Sequence, residues 1–147
     1  MKAAEFMKSA LSLGKRAAVE GEVPVGAVVV KGGEIIGKGF NKRETRNSPI
    51  GHAEIEAIHN AAKNLGDWRL NGCDIYVTLE PCPMCAGAII NARIDRVFFG
   101  AYDSTSGSFG SVADFSVLGY EYSPEVHGGI MEKECAKLLS DFFSEKR

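Results

Sequence analysis

Nothing in these 147 residues approaches the run of roughly eighteen apolar residues that a membrane-crossing helix needs, so no membrane partner is expected. The opening Met1-Lys2-Ala3-Ala4-Glu5 lacks the apolar stretch of a secretion signal, and a cytoplasmic protein is expected. Cysteine is scarce: of the 4 present, Cys82 and Cys85 share a Cys-x-x-Cys, while Cys73 and Cys135 stand alone. That usage suits a reducing compartment better than a disulfide framework. An excess of positive charge is lacking too. With 17 Lys and Arg against 19 Asp and Glu, the formal charge is -2, so no bulk basic field advertises a polyanionic partner, although a local basic patch can hide in that average. Repeats and low-complexity segments are also absent. At this length, with 45% hydrophobic residues, a single domain over 1–147 with its own core is expected.

What is present alternates. Ala3, Met7, Ala10, Leu13 and Ala17 recur at helical spacing and predict a helix over 2–20. Two short apolar runs, 25–30 and 35–40, are joined by Lys31-Gly32-Gly33-Glu34, whose glycines suit a hairpin turn. Residues 41–51 read as a polar loop with a positive bias from Lys42, Arg43 and Arg46. A helix then starts at His52, with Ile55, Ile58, Ala61, Ala62 and Leu65 as its buried stripe and Gly66 as its stop. Ile75 to Leu79 is a third strand, Pro83 suits the first turn of a helix running through Ala86 to Ile90, and 96–100 is a fourth strand. The Gly- and Ser-rich stretch 101–113 reads as loop, and Met131, Cys135, Leu138, Leu139, Phe142 and Phe143 mark a last helix. The alternation predicts an α/β fold, a central sheet with helices on both faces.

The chemistry concentrates in His52-Ala53-Glu54 and Pro81-Cys82-Pro83-Met84-Cys85. One imidazole and two thiols make three soft ligands, and three ligands leave the open position that catalytic zinc keeps for water. His52 opens one helix and the cysteines lie three apart on the first turn of another, so two helix N-termini face one metal and favour the thiolate. Glu54, two residues past His52, projects differently and is placed to move protons. The His-x-Glu and Pro-Cys-x-x-Cys pair is a known signature of zinc-dependent nucleobase deaminases.

The segment Val77-Thr78-Leu79-Glu80-Pro81-Cys82-Pro83-Met84-Cys85-Ala86-Gly87-Ala88-Ile89-Ile90 resembles the bacterial tRNA-specific adenosine deaminase family, within the cytidine deaminase superfamily. So do Gly21 to Ala27, Phe40-Asn41, Trp68-Arg69-Leu70, Gly100-Ala101 with Asp103, and Leu138 to Phe143. The resemblance implies a three-layer α/β/α sandwich with a central mixed sheet, cytidine deaminase-like, and a homodimer. It implies one zinc per subunit on His52, Cys82 and Cys85, with Glu54 as proton shuttle for attack on C6 of adenine, yielding inosine. It implies substrate contacts from Asn41, the backbone amide of Ala53, and Asp103, and an anticodon stem-loop as partner. Phe142, Phe143, Lys146 and Arg147 become candidate RNA contacts, with Lys42, Arg43 and Arg46 beside them. The chain departs from the family's usual residues at Glu121-Tyr122-Ser123 and Ser48-Pro49-Ile50-Gly51.

Other readings stay open on the residues alone. A deaminase of a free base or nucleoside (guanine, cytosine) or of single-stranded DNA would need the same centre, and His59 or Cys73 as a fourth ligand would make a structural zinc in a binding module. His59 reads as a surface or structural histidine, His127 as part of a loop, and Cys73 and Cys135 as small buried apolar residues.

Overall fold

The computed structural model describes residues 3–145. Lys146 and Arg147, two of the candidate RNA contacts, lie outside the described residues. The elements run α1 (Ala3–Val19), β1 (Gly26–Lys31), β2 (Glu34–Phe40), α2 (Ala53–Leu65), β3 (Cys73–Leu79), α3 (Pro83–Asn91), β4 (Arg96–Ala101), a 3-10 turn (Phe115–Val117), β5 (Glu125–His127) and α4 (Glu132–Glu145). They build a five-stranded sheet in the order β2-β1-β3-β4-β5. β1 is antiparallel to β2 and β3, while β3, β4 and β5 are parallel, so the sheet is mixed as expected.

Side chains alternate across a strand, and here the alternation sorts two cores. Ala27, Val29, Ile75 and Val77 face one side and pack on α2 and α3 through Ala53, Ala57, Ala86 and Ile89. Val28, Val30 and Tyr76 face the other and meet Phe6, Met7 and Ala10 of α1 with Cys135 of α4. The result is the three-layer α/β/α sandwich. No helix of the described residues is long and apolar enough to cross a membrane.

Two expectations are corrected. The buried stripe of α2 is Ala53, Ala57 and Ala61, not the isoleucines: Ile55 and Ile58 are half-buried and Leu65 is exposed. β2 explains this, because a Cβ on Gly37 would stand 2.4 Å from the Ala57 carbonyl oxygen, and one on Gly39 2.4 Å from that of Ala53. The helix backbone lies so close to the strand that only alanine fits between them. Second, His127 belongs to no loop. It ends the edge strand β5, stacks on Phe98 at 5.0 Å and pairs with Glu125 at 2.9 Å. Three residues carry too little periodicity to announce a strand; pairing with β4 makes it one.

Candidate metal centre and active site

His52 and Cys82 are the N-caps of α2 and α3, both with extended backbone, and neither side chain caps its own helix. Their side chains are thereby left for other work. Cys85 follows on the first turn of α3 after Pro83, which presets the helical backbone there. β3 delivers Cys82 from its C-terminal end, where ligands collect in α/β sheets. The Sγ atoms of Cys82 and Cys85 stand 3.7 and 3.5 Å from Nδ1 of His52, and all three ligand atoms fall within 4.8 Å of one another. Ordinary zinc–nitrogen and zinc–sulfur lengths at a tetrahedral angle place such a nitrogen and sulfur about 3.6 Å apart. The donor set therefore fits zinc in spacing as well as in softness.

The electrostatics agree. Cys85 donates to Cys82 and pulls its thiol down to about 4, with His52 helping. Cys85, as that donor and as a buried thiol, is pushed up, so seating a cation on both sulfurs releases its proton. The hydrogen bond with Cys82 raises His52. Glu54, only 4% exposed, is pushed up to about 7 chiefly by burial, which poises it for proton transfer near neutrality. His59 is exposed on the surface of α2, and Cys73 is fully buried in the core, so neither closes the site.

A cavity of about 200 Å³ opens over this centre, lined by His52, Ala53, Glu54 and Cys82 with Asn41, Arg43 and Asp103 among the rest. Asn41 is held by its Nδ2 donating to the Val23 carbonyl at 3.3 Å and its Oδ1 accepting from the Arg43 amide at 3.2 Å. Asp103 Oδ1 accepts from Thr105 and Ser106, whereas Oδ2 accepts only from the Ser106 hydroxyl at 2.9 Å and keeps acceptor capacity. The remaining candidates among the described residues lie outside the cavity. Lys42 covers the Phe40 ring at 4.8 Å, Arg46 is paired with Glu56, and Phe142 flanks a groove with Ala18 and Gly21. Phe143 is 49% exposed. Sequence reading missed Glu22 and Glu80, both in the cavity wall and both buried. No local signal in the sequence sets either apart from a solvated carboxylate.

The sequence matches the family described as the cytidine and deoxycytidylate deaminase zinc-binding region over residues 1–101. It is 47% identical over 143 residues to a tRNA-specific adenosine deaminase of Bacillus subtilis, covering 97% of this chain and 89% of that protein. The chain belongs to the tRNA-specific adenosine deaminase family. A solved structure from a study of A-to-I editing by wobble-position tRNA deaminases superposes with a TM-score of 0.88 at 43% identity, covering 92% of this chain and 99% of that one. The structure of a guanine deaminase from Bacillus subtilis matches with a TM-score of 0.68 at 40% identity, over 80% of this chain and 74% of that one. Zinc is the cofactor of this family's centre, and His52, Cys82 and Cys85 are the residues this member offers it.

Proposed function

We propose that this chain, a single deaminase domain over 1–147, hydrolyses adenosine to inosine in RNA at the wobble position of a tRNA anticodon. The observation that carries the reading is the cluster of three ligand atoms at zinc spacing beside the buried Glu54 carboxyl, at the floor of a cavity sized for one ring system. A base must leave its stack to enter such a cavity. His52, Cys82 and Cys85 would hold the zinc, which would supply the Lewis acidity that lowers the pKa of water toward neutrality. Glu54 would take one proton from the water and pass it to N1 of the purine as the water oxygen bonds to C6, then carry the second proton from that oxygen to the amino group, so that the C6–N bond breaks, ammonia leaves and the C6 carbonyl of inosine remains. Asn41 holds the purine edge, the Ala53 amide reads the atom exchanged at C6, and Asp103 accepts from the ribose through its free Oδ2 capacity.

Around that centre, Lys42 and Arg43 contact phosphates, and the end of α4 with Phe142, Phe143, Lys146 and Arg147 takes the stem-loop. The placement of Phe142 beside Gly21, one residue before the cavity-lining Glu22, supports this. The working unit is a cytoplasmic homodimer. Exposed Trp68, Tyr120 and Tyr122, with Arg93 over two of these rings and Ile90 alongside, form the kind of surface that one copy covers on another. The acid-lined cavity, with Glu22, Glu44 and Asp103 around Glu54, favours a second reading in which an amino-bearing free purine is the substrate. Incubation with an anticodon stem-loop, reading inosine by sequencing, against ammonia release from guanine and adenine, separates the two. Faster turnover of the free base replaces the first reading with the second.

A further inference from the structure

Two buried carboxylates have no part in the mechanism above. Glu22 is 1% exposed and Glu80 2%, and both line the cavity. Each takes its hydrogen bonds from donors of a single loop. Glu22 accepts from the Glu44 amide at 3.1 Å, the Thr45 amide at 2.6 Å and the Thr45 hydroxyl. Glu80 accepts from the amides of Asp103 at 3.1 Å, Phe109 at 3.1 Å and Ser111 at 3.0 Å, and from the Ser111 hydroxyl. The first loop carries Asn41 and Arg43, the second Asp103 and Ser106, so each carboxylate holds a different group of cavity residues.

Much of each loop is a self-contained turn, with Phe109 as the core side chain of the second. Lys42 donates to Gly51, Arg46 to Lys42 and Ser48 to Arg43 in one, and Gly107 donates to Asp103 and Val112 to Gly107 in the other. Residues 43–47 are exposed, as are 104, 105 and 110–113. Internal bonds set the shape of a turn but not its place, which falls to the carboxylates together with a few other anchors: the bonds of Asn41 to Val23 and Val25 and the Arg46–Glu56 pair in the first loop, and the buried Phe109 in the second. The approach at Glu80 is close: a Cβ on Gly107 would stand 2.4 Å from both Cδ and Oε1 of Glu80. Glu80 also lies two residues before Cys82, and the neighbouring Pro81 carbonyl accepts from Ser108 at 2.9 Å. The second loop is thereby referenced to the metal centre itself.

We propose that Glu22 and Glu80 are positioning residues of the deamination, two acceptor-only posts that hold the two sides of the cavity mouth at the separation into which the target nucleotide is admitted. The proposal rests on the substrate reading above. Acceptor-only chemistry is required, since the amide of a glutamine would turn N–H groups toward N–H donors. The test measures kcat and KM on the stem-loop, with zinc content, for Glu22→Gln and Glu80→Gln. Zinc should stay at the wild-type level, KM should rise about tenfold or more, the scale of a missing hydrogen bond to a charged group, and kcat should stay within about threefold. Thr45→Ala and Ser111→Ala, which remove one hydroxyl donor each, and Gly107→Ala, which pushes the loop off its post without altering charge, should move KM the same way. Should a glutamine variant fail to fold, those three decide by the same readout. Unchanged KM in all of them, or kcat and zinc falling together at constant KM, overturns the proposal. Wild-type protein that turns over only a free purine overturns the substrate reading instead, and the posts are then judged by KM for that purine.

Discussion

Glu54 and Cys82 separate two roles that a single knockout would confuse. Glu54→Ala should retain zinc, because the ligand atoms come from His52, Cys82 and Cys85, while kcat falls by about 10²–10⁴, the usual range for removal of a general acid–base. Cys82→Ser should lose metal and thermal stability together, because the ligands join the starts of α2 and α3. Metal analysis beside single-turnover rates decides both, and loss of zinc from Glu54→Ala would make Glu54 a ligand. At this scale the centre was legible because its members lie at short, fixed offsets within two motifs. Glu22 and Glu80 were not, since their donors lie 22 to 31 residues away and nothing local distinguishes a buried carboxylate from a solvated one.

At the level of elements, the close approach of α2 to β2 ties fold to chemistry. Gly39→Ala places a methyl 2.4 Å from the Ala53 carbonyl oxygen, next to both His52 and Glu54. We expect a loss of about 1–3 kcal/mol in denaturant unfolding, typical of overpacking, together with a lower kcat as the helix start is displaced. The loop held by Glu22 carries an acid signature. Burial pushes the Glu22 carboxyl up, but the hydrogen bonds from Thr45 and Glu44 outweigh it and hold the group below its ordinary 4.5. A depressed carboxyl contributes stability in full above its unfolded value and loses it as pH falls toward and through the folded one. The stability difference between wild type and Glu22→Gln should therefore be largest near about pH 6 and shrink toward about pH 3; a constant difference by urea titration would contradict the assignment.

For the whole molecule, a net charge of -2 obliges any RNA contact to be local. Arg46 is committed to Glu56, which leaves Lys42 and Arg43 as the cations of that loop without an ion pair among the described residues. Replacing both with Ala should reduce the slope of stem-loop affinity against salt by about 0.7 for each phosphate that is no longer paired, leaving zinc unchanged; an unaltered slope would remove them from the interface. The sequence by itself determined the layered α/β class and the three candidate zinc ligands, because helical and strand periods and short ligand offsets are local properties of the chain. Only the tertiary structure decided that alanines, not isoleucines, seat α2, that His127 ends a strand, and that Glu22 and Glu80 hold the mouth of the cavity. Those outcomes depend on how closely two backbones approach and on which distant donors meet a buried acceptor, and neither exists until the chain has closed on itself.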